Sequence, residues 1–339
     1  MNQPLPSVNI PWSDLHARVH QGLRQSQAIP SGSSLLVAVS GGQDSLCLLK
    51  LLVDLRSKWR WQLEAIHCDH RWRDDSAANA AHVQHLCEQW QVPSQVVRAE
   101  TPPESEAAAR QWRYQVFAAQ AIATQATHVI TGHTASDRAE TLLYNLMRGS
   151  GADGLQALVE QRPLTVANPI GLVRPLLGTA RQETAEFCQA FELPVWEDAT
   201  NGDRTYARNR IRLDLMPYLA AHFNPRVETA LAQTAELLTA EVDYLEQEAA
   251  SLYSEAVEWL ETGVRIQRRQ LASAHLAIQR RVLRRVLLAA IAEEVSFDHV
   301  EKLVALLSAP NRSQSDPFPG GAIARVDQDW ILLGATPWE

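Results

Sequence analysis

The residues of this sequence best suited to chemistry are Ser40-Gly41-Gly42-Gln43-Asp44-Ser45, set between a short apolar run and a helical pattern. Two adjacent glycines let a backbone approach an anion without Cβ obstruction. The free amides at a helix start, with a macrodipole of about half a charge, attract that anion. Ser40 and Ser45 add hydroxyl donors. A carboxylate at position 44 is repulsive beside phosphate unless it holds Mg²⁺ or caps the helix, and the six residues alone leave both roles open, as well as a plain strand-to-helix turn. No Gly-Lys-Ser/Thr follows, which excludes a Walker A loop, and the glycine spacing is not Gly-x-Gly-x-x-Gly.

Such a loop needs a strand to deliver it and a helix to receive the phosphate. Residues 35–39, 63–67, 95–98 and 128–131 are short, apolar and partly β-branched, which predicts strands. Residues 46–55, 76–90, 106–126 and 136–147 predict the helices between them. Four strand–helix units in succession imply an α/β fold, a doubly wound parallel sheet with helices on both faces. Ligands of such sheets bind outside the carboxyl ends of the strands. Residues 40–45, 67–73 and 132–140 all fall at that edge. The glycine-rich stretch 148–155 is expected to be a mobile loop over the site.

Beyond Phe223-Asn224-Pro225 the pattern turns to long helices with segregated charge. Nine acidic residues and no Lys or Arg occupy 228–261, and seven Arg with no Asp or Glu occupy 265–285. The basic segment is either an RNA-facing surface or a face salt-bridged to the acidic helix before it. Residues 323–326 and 330–333 around Asp327-Gln328-Asp329 predict a hairpin. The expected organisation is an N-terminal helical extension (1–30), a catalytic α/β domain (31–218) and a mainly helical second domain (219–339) ending in that hairpin.

The bulk properties agree with a folded chain: 339 residues, 46% hydrophobic and 21% charged, with a formal net charge of −8. That charge argues against binding nucleic acid over the whole surface but allows a local basic patch. Four cysteines, Cys47, Cys68, Cys87 and Cys188, form no Cys-x-x-Cys pair, and the His/Cys cluster at 67–87 matches no common zinc spacing. No apolar run approaches the ~20 residues of a membrane span, and residues 1–10 do not read as a secretory signal, so a cytoplasmic protein is expected.

The loop resembles the signature of the ATP pyrophosphatases, which cleave ATP between its α- and β-phosphates. Further motifs narrow the resemblance. Glu106-Ala107-Ala108-Ala109-Arg110-Gln111-Trp112-Arg113-Tyr114, Thr131-Gly132-His133, Asp137, Glu140-Thr141, Arg148-Gly149-Ser150-Gly151 and Arg174-Pro175-Leu176-Leu177 follow in order. Asp198-Ala199-Thr200-Asn201, Tyr206-Ala207-Arg208-Asn209-Arg210-Ile211-Arg212 and Pro217 complete the series. Together they resemble the tRNA(Ile)-lysidine synthetases of the PP-loop superfamily, in their shorter form without a further C-terminal domain.

The resemblance implies a ligase that uses ATP and Mg²⁺. It would join free L-lysine to C2 of cytidine 34 in tRNA(Ile) with a CAU anticodon, through an adenylated cytidine. It also implies roles. Ser40, Gly41, Gly42, Gln43, Asp44, Ser45, His67 and Gly132 would bind ATP, with Asp44 also holding the metal. Arg113 and Arg208 would contact phosphate or adenylate, and Asp137 with His133 would orient and deprotonate the amine. Glu140, Arg148, Arg174, Asn201, Tyr206 and Arg212 would meet substrate or tRNA. Arg113 as an ordinary helix surface charge, and 198–212 as a polar loop and amphipathic helix facing water, stay open alternatives. The oligomeric state is also open, a homodimer being one option.

The family usually shows Thr-Gly-His-His-x-Asp-Asp-Gln-x-Glu-Thr, whereas Thr134, Ser136 and Arg138 replace the second His, the first Asp and the Gln here. Two rival readings follow. A tRNA sulfurtransferase would use similar ATP chemistry but needs a persulfide cysteine or a Cys-bound cluster. A non-catalytic tRNA-binding protein would have a decayed ATP site.

Overall fold

The computed structural model describes residues 12–165, 168–197, 202–291 and 293–334. The chain forms two compact units that divide between Leu238 and Thr239. The boundary expected at 218/219 instead falls within a helical run of the first unit.

In the first unit α1 (Asp14–Ser26) precedes β1 (Ser34–Ala38), α2 (Gln43–Trp59), β2 (Gln62–Asp69), α3 (Ser76–Gln89) and β3 (Ser94–Arg98). There follow α4 (Glu106–Ala123), β4 (His128–Ile130), α5 (Ala135–Met147), α6 (Ala152–Leu155), β5 (Gln161–Thr165), β6 (Asn168–Val173) and α7 (Arg181–Ala190). The strands form one sheet in the order β3-β2-β1-β4-β6-β5, parallel except for the edge strand β5. Strand order reverses between β1 and β4. The loops after those two strands therefore open together at a topological switch point, where a crevice for ligand forms.

Alternation along β1 divides the core. Leu35, Val37 and Val39 face a cluster built with α1, α2, α3 and α7, while Leu36 joins Ile66, Val129 and Leu172 against Phe117 and Ala121 of α4. Helices thus cover both faces, and α1 contributes Leu15, Val19 and Leu23 to the first cluster. The expected loop at 148–155 contains the short helix α6, with Asn145 Nδ2 donating to Gly154 O at 2.7 Å.

The first unit continues through α8 (Ala207–Arg210), a π turn (Ile211–Leu215), α9 (Met216–His222) and the first part of α10 (Val227–Ala256). In the second unit the rest of α10 is followed by β7 (Val257–Leu260), β8 (Gly263–Gln267), α11 (Arg268–Ser273), α12 (Leu276–Ala290) and α13 (Phe297–Leu306). Last come β9 (Ile323–Asp327) and β10 (Trp330–Gly334). The expected hairpin β9–β10 is half of an antiparallel sheet ordered β7-β8-β10-β9, so this unit holds more strand than its sequence suggested.

The arginines of 265–285 are largely engaged within the second unit. Arg281 pairs with Glu246 of α10 and Arg280 with Glu301 at 2.7 Å, while Arg285 lies over the Tyr253 ring at 4.7 Å. Arg281 and Arg285 thus join the basic segment to the acidic helix α10, and Arg265 pairs with Glu258 of the same acidic segment, so much of this face is engaged within the unit as the second alternative expected. Among the described residues no helix is long and apolar enough to cross a membrane.

Candidate active site

The switch point of the first unit opens into a cavity of about 540 Å³ lined by the loop after β1, the end of β2, α4, the loop after β4 and α8. The phosphate loop is tightly knit. Ser45 Oγ accepts from Ser40 N at 3.1 Å and donates to Gly42 O at 2.9 Å, and Asn79 Nδ2 of α3 donates to Ser40 O at 3.0 Å. Gly41 has φ +88°, and a Cβ there would stand 2.4 Å from Asn79 Oδ1. Position 41 therefore needs glycine for backbone conformation and for space together.

Gly42 is the N-cap of α2 and no side chain caps it, so the first-turn amides keep their capacity for an anion. Asp44 does not serve as the cap. Its Oδ2 accepts from Arg181 Nε at 3.0 Å and Nη2 at 2.7 Å, and its Oδ1 accepts from the Thr184 hydroxyl. Both oxygens are thus taken up by side chains of α7. In this arrangement Asp44 is engaged by α7, and a role as metal ligand would require Arg181 to release it. No group of three His, Cys, Asp or Glu side chains among the described residues could hold a metal ion.

Gly132 closes the loop after β4 onto the start of α2. A Cβ there would lie 2.9 Å from Asp44 O and 3.2 Å from Ser45 Cα, so only glycine lets the two loops meet. Beside it, His133 Nδ1 lies 2.9 Å from Thr131 Oγ1. Burial, reinforced by Arg174, Arg110 and Arg113, pushes the His133 imidazole far below its usual range against the pull of Asp137, so it is neutral. His67 is buried at the end of β2, where its Nδ1 donates to Val39 O at 2.8 Å.

Asp137 stands at the third position of α5 and closes a capping box with Thr134. Burial alone would raise its carboxyl. Arg181, His133, the Thr134 amide and Arg212 outweigh that and hold it below the usual carboxylate range. Arg181 Nη2 is 3.6 Å from Asp137 Oδ1, and Arg212 Nη2 is 3.3 Å from the same atom. Arg212 also holds Glu140 through Nε at 2.6 Å and Nη2 at 2.8 Å. Burial raises Glu140 in spite of Arg212. The result is an unbroken alternation of charge, Asp44–Arg181–Asp137–Arg212–Glu140. Arg212 reaches α5 from the π turn, a local widening of the helix that is common at functional sites.

The other expected residues divide into two groups. Arg113, Arg208 and Tyr206 line the cavity. Arg113 Nε is buried without a hydrogen-bond partner, which does not fit an ordinary surface charge. Arg208 Nη2 is 3.3 Å from Thr141 Oγ1. Arg174 lies deeper, 1% exposed, donating from Nη1 to Val159 O at 2.6 Å. Glu140 and Arg212 stand behind Asp137, outside the cavity lining. Arg148 is away from it at the end of α5, over the Tyr144 ring at 5.4 Å. Asn201, with Asp198, Ala199 and Thr200, lies outside the described residues.

Sequence reasoning missed Arg181, Thr184 and Asn79. Asn79 carried a signal: it is a weak helix former among alanines in a helix that gains nothing locally from it. Arg181 carried none, since its partners are 137 and 44 positions away. The departures in α5 also find partners. Ser136 Oγ accepts from Arg181 N at 2.9 Å and donates to Glu228, and Arg138 pairs with Glu236.

A family model described as a PP-loop domain matches residues 15–219, more than half of the chain. Fold and site agree: this is a PP-loop protein, with a mostly parallel sheet that delivers its glycine loop to a helix start. A second model, described as the TilS substrate binding domain, matches residues 267–331 in the second unit. The tRNA(Ile)-lysidine synthase of Nostoc sp. strain PCC 7120 is 57% identical, covering 95% of this chain and 97% of the relative. That of Thermosynechococcus vestitus is 49% identical over 95% and 92%, and the chloroplastic one of Zygnema circumcarinatum 35% identical over 87% and 80%. The chain belongs to the tRNA(Ile)-lysidine synthase family. Among solved structures, a U34-tRNA thiolase from Methanococcus maripaludis is similar with a TM-score of 0.56, 16% identity and coverage of 67% of this chain and 79% of that one, a likeness of fold alone.

Proposed function

We propose that this chain ligates free lysine to C2 of cytidine 34 in tRNA(Ile) with a CAU anticodon. The cytidine O2 attacks the α-phosphate of ATP and pyrophosphate leaves. The ε-amine of lysine then attacks C2, AMP leaves with the O2 oxygen, and the amine gives up a proton. Family membership carries this reading, and the cavity geometry supports it.

The amides of 41–45 at the head of α2 offer fixed dipoles to the ATP phosphates, and Arg113 and Arg208 offer guanidinium groups where negative charge grows. Asp137, kept anionic, attracts the lysine ammonium and is the base placed to receive its proton, while the neutral His133 beside it adds no competing positive charge. Mg²⁺ would arrive with the ATP phosphates, and Asp44 at the head of α2 would be the carboxylate to meet it once Arg181 and Thr184 release it.

The sulfurtransferase reading finds less support. Cys68 is the cysteine that lines the cavity, and burial pushes its thiol up to about 12, which opposes thiolate chemistry. Incubation with ATP, Mg²⁺, labelled lysine and unmodified tRNA(Ile) tests the proposal. AMP release with label in the tRNA supports it; tRNA binding without incorporation would leave only a binding protein with a decayed ATP site.

A further inference from the structure

The helical run that carries Arg208 and Arg212 continues into α9, whose outer face holds an aromatic cluster that the reaction above does not use. Tyr218 is 55% exposed and Phe223 73% exposed. The Tyr218 ring centroid is 4.5 Å from that of His222 and 6.1 Å from that of Phe223. The inner face of α9 is already satisfied, since Met216 packs with Ile211 and Ala139. Nothing in the folding of the first unit calls for three rings on the outside.

Two observations say what covers them. The first is charge: Arg204 pairs with Asp214, Arg208 with Glu106 and Arg212 with Glu140 and Asp137, but among the described residues no carboxylate pairs with Arg210 or the exposed Arg226. Arg210 spends its Nη1 on the carbonyls of Arg204 and Thr205 and so keeps its positive charge uncompensated by them. Exposed Leu237 on α10, by contrast, lies within the acid-rich segment 228–261, a setting that repels a polyanion. The second is continuity. Tyr206 and Arg208 line the cavity, and the run from 207 to 222 leads from there to Tyr218 over on the order of 15 Å, at about 1.5 Å per helical residue. That distance spans roughly five stacked nucleotides at about 3.4 Å each.

We propose that Tyr218, His222 and Phe223 form a stacking platform for an unpaired base of the tRNA substrate, a few nucleotides from the base that enters the cavity. The inference rests on the proposed tRNA reaction. Aromatic faces bind any unstacked base, and neighbouring arginines track its phosphates.

The test compares tRNA affinity, by filter binding over a range of salt, for the full chain and its Tyr218→Ala, Phe223→Ala, Tyr218→Phe and Arg226→Gln variants. Either alanine variant should weaken binding roughly 10- to 100-fold without changing the salt slope. Tyr218→Phe should bind like the parent, and Arg226→Gln should lower the slope by about one. ATP affinity measured without RNA should be unchanged throughout. If an alanine variant folds poorly, Tyr218→Gln and Phe223→Gln make the same comparison.

Alanine variants that bind tRNA within twofold of the parent overturn the platform. So does a parent that self-associates in sedimentation through this face while its monomeric variants keep tRNA affinity. Lysine incorporation by the parent is scored separately. Its failure removes the ligation reading, while the binding series still decides the platform.

Discussion

Arg181 joins two carboxylates from the first turns of different helices, holding Asp44 of α2 through Nε at 3.0 Å and Nη2 at 2.7 Å while Nη2 also lies 3.6 Å from Asp137 of α5. The pairing ties the start of α7 to the phosphate loop and to α5, and so fixes the three sides of the cavity against one another. Its consequences are measurable.

Replacing Arg181 by Met leaves Asp44 and Asp137 without their shared partner. A charge-assisted pair of this kind contributes about 1.5–3 kcal/mol, and partial exposure of Arg181 places the loss near the lower end. Asp137 also loses the strongest influence that lowers its pKa. A carboxyl with a depressed pKa stays ionised down to low pH, so its pKa should rise in the variant and the acid limb of lysine-dependent AMP release should move to higher pH. An acid limb that stays in place would show that Asp137 does not control the rate.

Asp44→Ala should abolish ATP cleavage, because it removes the anchor that aligns Gln43, Thr184 and Arg181 around the loop. AMP release in the presence of tRNA and lysine measures this directly. Normal turnover would refute a role for Asp44 in the chemistry.

Gly132→Ala places a Cβ 2.9 Å from the Asp44 carbonyl, which belongs to helix backbone and cannot swing away. Overpacking of this sort costs about 1–3 kcal/mol. The thermal midpoint should fall and ATP affinity should fall with it, since the displaced backbone is the phosphate loop itself. A variant with lower stability but full ATP affinity would separate Gly132 from the site.

His70, at the end of β2, is pushed from the ordinary 6.5 to about 4 by burial, helped by Arg113 and His67 and opposed by Asp69. In the unfolded chain it binds its proton near 6.5, so between those values the unfolded state holds more protons. Stability from this residue is complete above about pH 6.5 and is lost as pH falls toward 4, by roughly 2 kcal/mol allowing for partial exposure. Urea midpoints should therefore decline over that window, and His70→Phe should flatten the decline. An unchanged slope would locate the acid sensitivity elsewhere.

Much of the first unit was legible from local pattern. Strands β1 to β4 and the helices between them follow from short apolar runs and helical periodicity, and the phosphate loop from two glycines before a helix start. Strands β5 and β6 were not legible. Pro163 in β5, and Pro169 and Gly171 in β6, argue against strand by propensity. Pairing with β4 overrides propensity at β6, and the position of β5 at the sheet edge tolerates its proline.

For the site, the sequence by itself determined the phosphate loop, because Ser40 to Ser45 form a short motif whose geometry is set within a few residues, whereas the roles expected of His133 and Asp137 came from the resemblance alone. Only the tertiary structure decided which charges meet. Arg181 and Arg212 reach Asp44, Asp137 and Glu140 across long stretches of chain, and no local pattern encodes such pairings. They exist because β1 and β4 lie side by side where the strand order reverses, bringing their loops together and drawing in the side chains of α7 and the π turn to balance buried carboxylates.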